Sequence, residues 1–266
     1  MRNKNQYRNC IELGTMQPFP GVNQPALFQI NDLTTHALIC GGTQESRTAL
    51  AQKIAAETLR LRRNVLVISA VGGWAAALQQ RKDVRIFNSP PREFALREAV
   101  GKTAGSCAVF ELRGIGPREI DSFLEDVGRS IFGTIENETS KLELLLILDG
   151  VYDLIAPLSF KGPFEEIPLE HGLFRSPGIL WLERGVRELR KFGRGIVLTS
   201  AMIGNINSET LSNIWTLIHM GGGPSEVKAA EVFFGEDSKK IMELEDGKAL
   251  ALSPNLNNGR PFIMKI

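Results

Sequence analysis

Short apolar runs alternate with helical stretches along most of the chain, and this alternation narrows the possible folds more than any other feature. Six runs have the β-branched or leucine-rich character of buried strands, at residues 36–40, 64–70, 106–114, 141–150, 194–201 and 215–222. Helical stretches such as "REIDSFLEDVGRSIFGTI" separate most of them. Strands joined through helices pair in parallel, and strands covered on both faces need no polar alternation. The pattern predicts an α/β fold with a mostly parallel sheet flanked by helices.

The two ends of the chain and one central segment fall outside this alternation. Residues 1–30, with "MQPFPGVNQP", predict a proline-punctuated lead-in with an edge strand, because so short a segment cannot bury its own core. Residues 156–178 are rich in Pro, Gly and Phe without periodicity, which is typical of a mobile excursion. Near the end, "SEVKAAEVFFG" predicts a short helix, and "KALALSP" and "RPFIMKI" predict a terminal β-hairpin at a sheet edge. We expect one domain over residues 31–266.

Composition excludes several classes of protein. The 266 residues are 43% hydrophobic and carry 31 Lys and Arg against 30 Asp and Glu, so the chain as a whole is not a polyanion-coating protein. No apolar run approaches the roughly 18 residues that span a bilayer, and the polar start lacks a signal-peptide core. We therefore expect a cytoplasmic protein without a membrane segment. Cys10, Cys40 and Cys107 have no metal-ligand spacing and predict reduced thiols.

The stretch "HALICGGTQESRTAL" has the layout of a phosphate-binding loop between a strand and a helix. The pattern of such a loop is Gly, four residues, Gly, Lys and then Ser or Thr. Here the second glycine is Ser46 and the lysine is Arg47, so the motif alone is equally consistent with a simple strand-to-helix turn. The candidate nucleotide-binding residues are Gly41, Gly42, Thr43, Gln44, Glu45, Ser46, Arg47 and Thr48.

Later motifs support the nucleotide interpretation because they follow in order. "LLLILDG" ends an apolar strand with Asp149, where a P-loop ATPase places the carboxylate that orients magnesium. Together with "NVLVISAVGGW", "RELRKFGRGIVLTSA" and "LSNIWTLIHMG", the chain resembles the HerA-like branch of the HerA/FtsK-type P-loop ATPases over roughly residues 30–266. This resemblance implies a RecA-like core, ATP and Mg²⁺ as cofactors, and DNA translocation as the activity.

The chain departs from that family at the positions that carry chemistry, while the apolar strands are kept. Against the family pattern, Ser46 and Arg47 stand for Gly and Lys, Ser69 and Gly73 for acids after the second strand, Gly150 for the catalytic glutamate, and Ala201 for a glutamine. A Cβ at Ser46 should strain or reshape the loop, and the carboxylate of Glu45 should repel a phosphate. Gly150 has no carboxylate to polarise an attacking water. We therefore expect ATP hydrolysis to be lost or very weak.

Three functions are compatible with this pattern. The first is a structural or regulatory pseudo-ATPase subunit of a DNA translocation or processing machine, with Asp149 as the magnesium-orienting position if any activity remains. The second is a working ATP-dependent DNA translocase in which Arg47 replaces lysine and Asp153, or a partner's acid, replaces the glutamate. The third is a protein-binding module that captures a partner through residues 156–178.

A basic cluster in "RGVRELRKFGRG" predicts an interface. Members of the resembled family form rings in which basic residues of one subunit reach the neighbour's nucleotide, and Arg187, Arg190 and Lys191 occupy the matching place. We expect a homo-oligomer or a mixed ring with an intact ATPase, with DNA as a further partner. A solvated helix face is the alternative.

The histidines and tryptophans indicate no metal or base-stacking site. His36 is expected to pack at the entry of its strand, and His171 and His219 form no metal pattern with it. Trp74, Trp181 and Trp215 are expected to be core or interface aromatics, since nothing spaces them as a stacking platform. We predict no metal-ligand cluster.

Overall fold

The computed structural model describes residues 9–19, 22–101, 103–151, 154 and 177–266. These residues contain one sheet of eleven strands in the order β2-β1-β11-β10-β9-β3-β8-β7-β4-β6-β5. The strands are β1 (Cys10–Phe19), β2 (Val22–Gln29), β3 (Ala37–Cys40), β4 (Asn64–Ser69), β5 (Val84–Phe87), β6 (Cys107–Glu111), β7 (Thr139–Asp149), β8 (Phe192–Ser200), β9 (Thr216–His219), β10 (Lys248–Leu252) and β11 (Phe262–Lys265).

Helices connect most of the parallel strands. They are α1 (Gln44–Arg60), α2 (Trp74–Leu78), α3 (Leu96–Val100), α4 (Pro117–Gly133), α5 (Pro177–Glu188), α6 (Ser208–Leu211) and α7 (Pro224–Phe234). Short 3-10 helices add Ile30–Thr35, Leu189–Lys191, Ile203–Asn205, Gly235–Glu243 and Asn257–Gly259. The helix predicted from "SEVKAAEVFFG" corresponds to α7.

The sheet has a parallel part and an antiparallel part. Strands β9, β3, β8, β7, β4, β6 and β5 pair in parallel, and all six predicted strands lie among them. The α/β fold with a mostly parallel sheet flanked by helices is therefore confirmed. The sequence prediction missed β5, a partly buried strand of four residues at the sheet edge, because Arg85 interrupts its apolar run.

The two terminal segments of the described chain form the antiparallel part, and here two expectations need correction. The lead-in contributes two strands rather than one, because β1 and β2 form a hairpin. The predicted terminal hairpin of β10 and β11 is present, but it lies inside the sheet, since β1 pairs with β11. Gly14 makes this pairing close: a Cβ there would lie 2.1 Å from the Lys265 carbonyl oxygen. The predicted excursion at 156–178 lies outside the described residues, except that Pro177 and Gly178 begin α5.

Two hydrophobic layers cover the faces of the sheet. On one face α1 packs Leu50 and Ile54 against the central strands together with the N-terminal hairpin. On the other face α4 and α5 pack together, and Trp181 lies directly on Gly128 of α4, where any Cβ would collide with the indole. Each fully buried side chain of this size contributes about 1.5–3 kcal/mol. This packing places the carboxyl ends of β3, β4, β7, β8 and β9 at one edge of the sheet.

Candidate functional site

The loop after β3 is held by its neighbours through two glycines. Gly41 and Gly42 both have left-handed backbones, with φ of 71° and 58°. The Gly41 amide donates to the Ala201 carbonyl at 3.2 Å, and the Gly42 amide donates to the Gly221 carbonyl at 2.9 Å. A Cβ at Gly41 would lie 2.3 Å from the Gly221 carbonyl oxygen. Both glycines are therefore required by the turn itself, as well as by any ligand.

The helix that follows begins early, at Gln44. Thr43 is its N-cap, and its hydroxyl accepts from the Ser46 amide at 3.2 Å. The Ser46 hydroxyl donates to the Thr43 carbonyl, and the Arg47 amide donates to the same carbonyl. Ser46 is helical and is not among the residues with positive φ, so its Cβ imposes no backbone strain here. Whether this loop differs in shape from that of the resembled family stays a prediction.

Arg47 points back into the loop. Its Nη1 donates to the carbonyl oxygens of Gly41 and Gly42, at 2.9 Å each, and the side chain is buried. Five planar N–H donors let a guanidinium bridge two carbonyls, which suits it to this role. Arg47 thus ties the start of α1 to the end of β3.

Asp149 lies at the carboxyl end of β7 and is almost fully buried, at 1% exposure. Four protein groups donate to its carboxylate. They are the Thr48 hydroxyl at 3.1 Å, the Ser69 hydroxyl at 3.3 Å, the Trp74 indole N–H at 2.7 Å and the Thr199 hydroxyl at 2.6 Å. An ionised carboxylate offers about four lone-pair sites. The described residues therefore fill its acceptor capacity.

Backbone amides fix the direction of this network. The Gly72 amide donates to the Ser69 hydroxyl at 3.0 Å, and the Gly150 amide donates to the Thr199 hydroxyl at 2.8 Å. Each hydroxyl has one proton, so each passes it on to Asp149. Gly150 itself has φ of 78°, a conformation that side-chain-bearing residues avoid. A residue with a Cβ would therefore be strained at this position.

Two functional contacts were not predicted from the sequence. Trp74 is completely buried, as a core aromatic should be, yet its indole binds Asp149. Glu111, at the end of β6, accepts from the Trp74 and Ala75 amides at 2.6 and 2.9 Å and so caps α2. The available signal was a polar residue at or next to the carboxyl end of four parallel strands, β4, β6, β7 and β8, namely Ser69, Glu111, Asp149 and Thr199. Carboxyl ends of parallel strands share one edge of the sheet, and ligands of such sheets bind there.

Several groups that a magnesium-bound triphosphate would use are engaged by the chain itself. The amides of Gly41, Gly42, Ser46 and Arg47 already donate to protein acceptors. The Asp149 carboxylate is filled by protein donors, and the Arg47 guanidinium faces carbonyl oxygens of its own loop. Within the described part of the chain, no cluster of three His, Cys, Asp or Glu side chains is placed to hold a metal ion. Asp153 and His171 lie outside the described residues.

His36 is a buried structural residue at the entry of β3, as expected. Its Nδ1 accepts from the Ile196 amide at 3.0 Å, so its Nε2 carries the proton and donates to the Val186 carbonyl at 3.0 Å. Burial lowers the pKa of His36 to about 4, although the bond to Val186 opposes this and the Arg190 charge adds to it. The neutral ring joins β3, β8 and α5.

A second buried histidine supports the loop from β9. His219 Nε2 lies 3.2 Å from Glu226 Oε2, and that carboxylate also accepts from the Ile203 amide at 3.0 Å. Burial lowers the pKa of His219, while Glu226 opposes the shift. The imidazole also borders the position of a Cβ on Gly41, at 2.6 Å. His219 therefore packs against the loop and belongs to no metal site among the described residues.

The predicted interface residues lie together at the end of α5. Arg187 pairs with Glu209 at 2.7 Å, and the guanidinium of Arg190 lies 5.9 Å from the ring centre of Trp215. Lys191 is exposed, and Trp215 is half exposed. The cluster is thus a surface of cations beside a half-exposed indole.

Among the described residues no helix is long and apolar enough to cross a membrane. No protein-family model matches the sequence, and no curated protein is significantly similar to it.

Solved structures with this fold are numerous. The DNA-packaging ATPase B204 from Sulfolobus turreted icosahedral virus matches with a TM-score of 0.55 and 14% identity, over 87% of this chain and 97% of B204. VirB4 of Thermoanaerobacter pseudethanolicus matches with a TM-score of 0.67 and 10% identity, over 96% of both chains. The plasmid coupling protein TrwB, in complex with the GTP analogue GDPNP, matches with a TM-score of 0.64 and 10% identity, over 90% of this chain and 87% of TrwB. At these identities the matches show the fold alone, and they confirm the predicted α/β fold with a mostly parallel sheet flanked by helices.

Proposed function

We propose that this chain is a non-hydrolysing subunit of a machine that moves DNA, built on a P-loop ATPase fold. The DNA-transport part of the proposal is supported by what B204 and the plasmid coupling protein TrwB are named for. The loss of hydrolysis is supported by the residues of the chain itself. In this proposal the former nucleotide site is a structural joint that holds β3, β4, β7 and β8 together.

The observation that carries the proposal is the set of hydrogen bonds that the Asp149 carboxylate accepts. In a P-loop ATPase this carboxylate and the loop hydroxyl hold Mg²⁺. Here four protein donors, including the Trp74 indole, occupy the carboxylate. Binding a metal would require breaking bonds in a site with 1% exposure, and a buried donor left without an acceptor costs about 1–3 kcal/mol.

An ATPase assay tests the loss of hydrolysis. The purified chain should release no phosphate from ATP above background, with or without DNA. Asp149→Ala and the near-isosteric Thr48→Val are the matched controls, because a contaminating ATPase would be unaffected by either. Turnover of about 1 per second, an ordinary enzyme rate, that both variants abolish would refute the proposal.

A loop variant tests whether the loop is what excludes the nucleotide. The combined change Gln44→Gly, Glu45→Ser, Ser46→Gly and Arg47→Lys removes the early helix start and frees the carbonyls that Arg47 occupies. We expect this variant to gain ATP affinity in calorimetry while staying folded by circular dichroism. A folded variant without any gain would show that other contacts close the pocket.

The basic surface supports a role in assembly. Arg190 and Lys191 carry charge at the end of α5 without serving the chain's own loop, and Trp215 adds an exposed aromatic. We propose that Arg187, Arg190 and Lys191 contact a neighbouring subunit, either a second copy or an intact ATPase. Light scattering of the wild type and of an Arg190→Ala, Lys191→Ala variant tests this. A wild-type chain that stays monomeric at high concentration, and that leaves the rate of an ATPase encoded beside it unchanged, would contradict it.

One observation favours a second candidate, a working ATPase. The Thr48 hydroxyl still contacts Asp149, and this pairing of groups holds Mg²⁺ in active P-loop enzymes. The same phosphate-release assay decides between the two, since the working enzyme must turn over. The third candidate, partner capture by residues 156–178, concerns a segment outside the described residues and stays a prediction.

A further inference from the structure

A cavity of about 590 Å³ opens at the amino ends of the parallel strands, on the opposite side of the sheet from the phosphate loop, which follows the carboxyl end of β3. Asn64 at the start of β4, Leu144 of β7 and Phe192 at the start of β8 line it, together with the ends of α3 and α4. Asp149 lies at the other end of β7, roughly 17 Å away for five residues of strand. The cavity is therefore separate from the former nucleotide site. Its volume lies within the range of small-molecule sites.

The charge of this cavity is positive. Four arginines line it, Arg62, Arg63, Arg97 and Arg194, against two glutamates, Glu136 and Glu143. Arg97 and Glu136 neutralise each other at 2.7 Å, and both are well exposed. Arg194 is 3.9 Å from Glu143, the upper limit of an ion pair, and Arg62 and Arg63 have no acidic partner among the described residues. The cavity therefore has a surplus of cations.

The inner arginines are not satisfied by the chain. The Nε atoms of Arg63 and Arg194 are buried and have no hydrogen-bond partner among the described residues. The side chain of Arg194 is only 14% exposed, and its Nη2 reaches the Thr134 carbonyl only at 3.5 Å. Burial lowers the pKa of this guanidinium, and Glu143 opposes the shift. A charged group so poorly hydrated and so poorly paired is stabilised by an anion with several acceptor oxygens.

The end of α1 positions two of these arginines. Arg62 adopts φ of 57°, a left-handed conformation that commonly ends a helix. The Arg62 amide donates to the Leu59 carbonyl and the Arg63 amide to the Thr58 carbonyl, so the helix end is closed by its own backbone. The conformation places consecutive arginines, Arg62 and Arg63, at the rim of one cavity.

We propose that this cavity binds a small phosphate-bearing molecule of about mononucleotide size. Arg62, Arg63 and Arg194 hold its phosphate, since guanidinium groups match phosphate oxygens in geometry and charge. The partly exposed apolar side chains of Ile135 and Phe192 receive the uncharged part of the molecule. The concave shape selects a small molecule over a polymer strand, which an open groove would suit better.

Isothermal titration of the whole chain with AMP and with inorganic phosphate tests the proposal. AMP should bind more tightly than inorganic phosphate. Arg63→Ala and Arg62→Gly should each weaken AMP binding about tenfold, as expected for the loss of one charge-assisted bond. Arg62→Gly also keeps the left-handed backbone without strain, so it reports on the side chain alone. Arg194→Ala should weaken binding as well, and if it does not fold, the other two variants decide.

Two control variants locate the binding. Arg129→Ala removes an exposed arginine of α4 outside the cavity and should leave AMP affinity unchanged. Glu45→Gln removes the carboxylate beside the phosphate loop, so it would strengthen binding there and should not affect the cavity. Three results would overturn the proposal: no heat from AMP or phosphate at millimolar concentration, AMP affinity that follows Glu45→Gln and ignores the cavity arginines, or cavity-dependent binding of a thymidine oligonucleotide without binding of AMP.

Discussion

Replacing Asp149 by Asn should destabilise the fold strongly if its carboxylate is a structural joint. An asparagine keeps one acceptor oxygen and turns the other into an NH₂ donor, which then faces either the three donors nearest Oδ2 (Thr48, Ser69 and Trp74) or the Thr199 hydroxyl on Oδ1. Each lost bond to a charged acceptor is worth about 1.5–3 kcal/mol. At least one bond is lost in either orientation, so the cost is about 1.5–3 kcal/mol or more, a large part of the 5–15 kcal/mol that holds a typical domain together.

The assay is chemical denaturation at neutral pH, followed by circular dichroism. Asp126→Asn is the matched control, because this partly exposed residue of α4 makes a 3.7 Å ion pair with the exposed Arg129 and the change should cost no more than about 0.5 kcal/mol. A cycle with Thr199→Val isolates one bond: the two changes should couple by about 1 kcal/mol or more, since the hydroxyl and the carboxylate are 2.6 Å apart.

The opposite outcome would refute the structural interpretation of Asp149. If Asp149→Asn changes the free energy of unfolding by less than about 1 kcal/mol, the four contacts do not hold the strands together. A small stability change combined with the loss of measurable ATP turnover would instead assign the residue to catalysis.

Three further predictions follow from the same contacts. The pKa of His36 is about 6.5 in the unfolded chain and about 4 in the folded chain, so the unfolded chain binds more protons between these pH values. The free energy of unfolding therefore falls as the pH drops through this window, by about 2 kcal/mol at pH 5. In the His36→Gln variant, the free energy of unfolding should depend less on pH over that range. Gly41→Ala should lower the melting temperature by several degrees, because its Cβ meets the Gly221 carbonyl and φ is 71°, whereas Gly133→Ala in α4, where nothing lies within 4 Å, should not. Arg47→Met should destabilise the chain by about 1–3 kcal/mol through the loss of its bonds to Gly41 and Gly42, and equal stability of both proteins in thermal melts would contradict its role as a tie.

Much of the fold could be predicted from the sequence because the hydrophobic pattern of each segment reports which of its faces are buried. Strands covered on both faces give continuous apolar runs, and helices give a repeat of three to four residues, so β3, β4 and β6 to β9 could be placed without any tertiary information. The ordered motifs also located the loop and Asp149. The position of the terminal hairpin could not be predicted, because a hairpin pattern specifies its own pairing and does not specify which third strand lies beside it.

The sequence by itself thus determined the β/α order, the position of the loop and the residue types missing from it. Only the tertiary structure decided which groups contact the loop and Asp149. Trp74 and Thr48 reach Asp149 from 75 and 101 positions away, and such contacts depend on strand order and side-chain direction, which no local pattern contains. Strand order and side-chain direction also decide where Arg47 points. They likewise bring Arg62, Arg63 and Arg194 to one cavity. Periodicity records which face of an element is buried, whereas the partner on that face is set by packing of the whole chain.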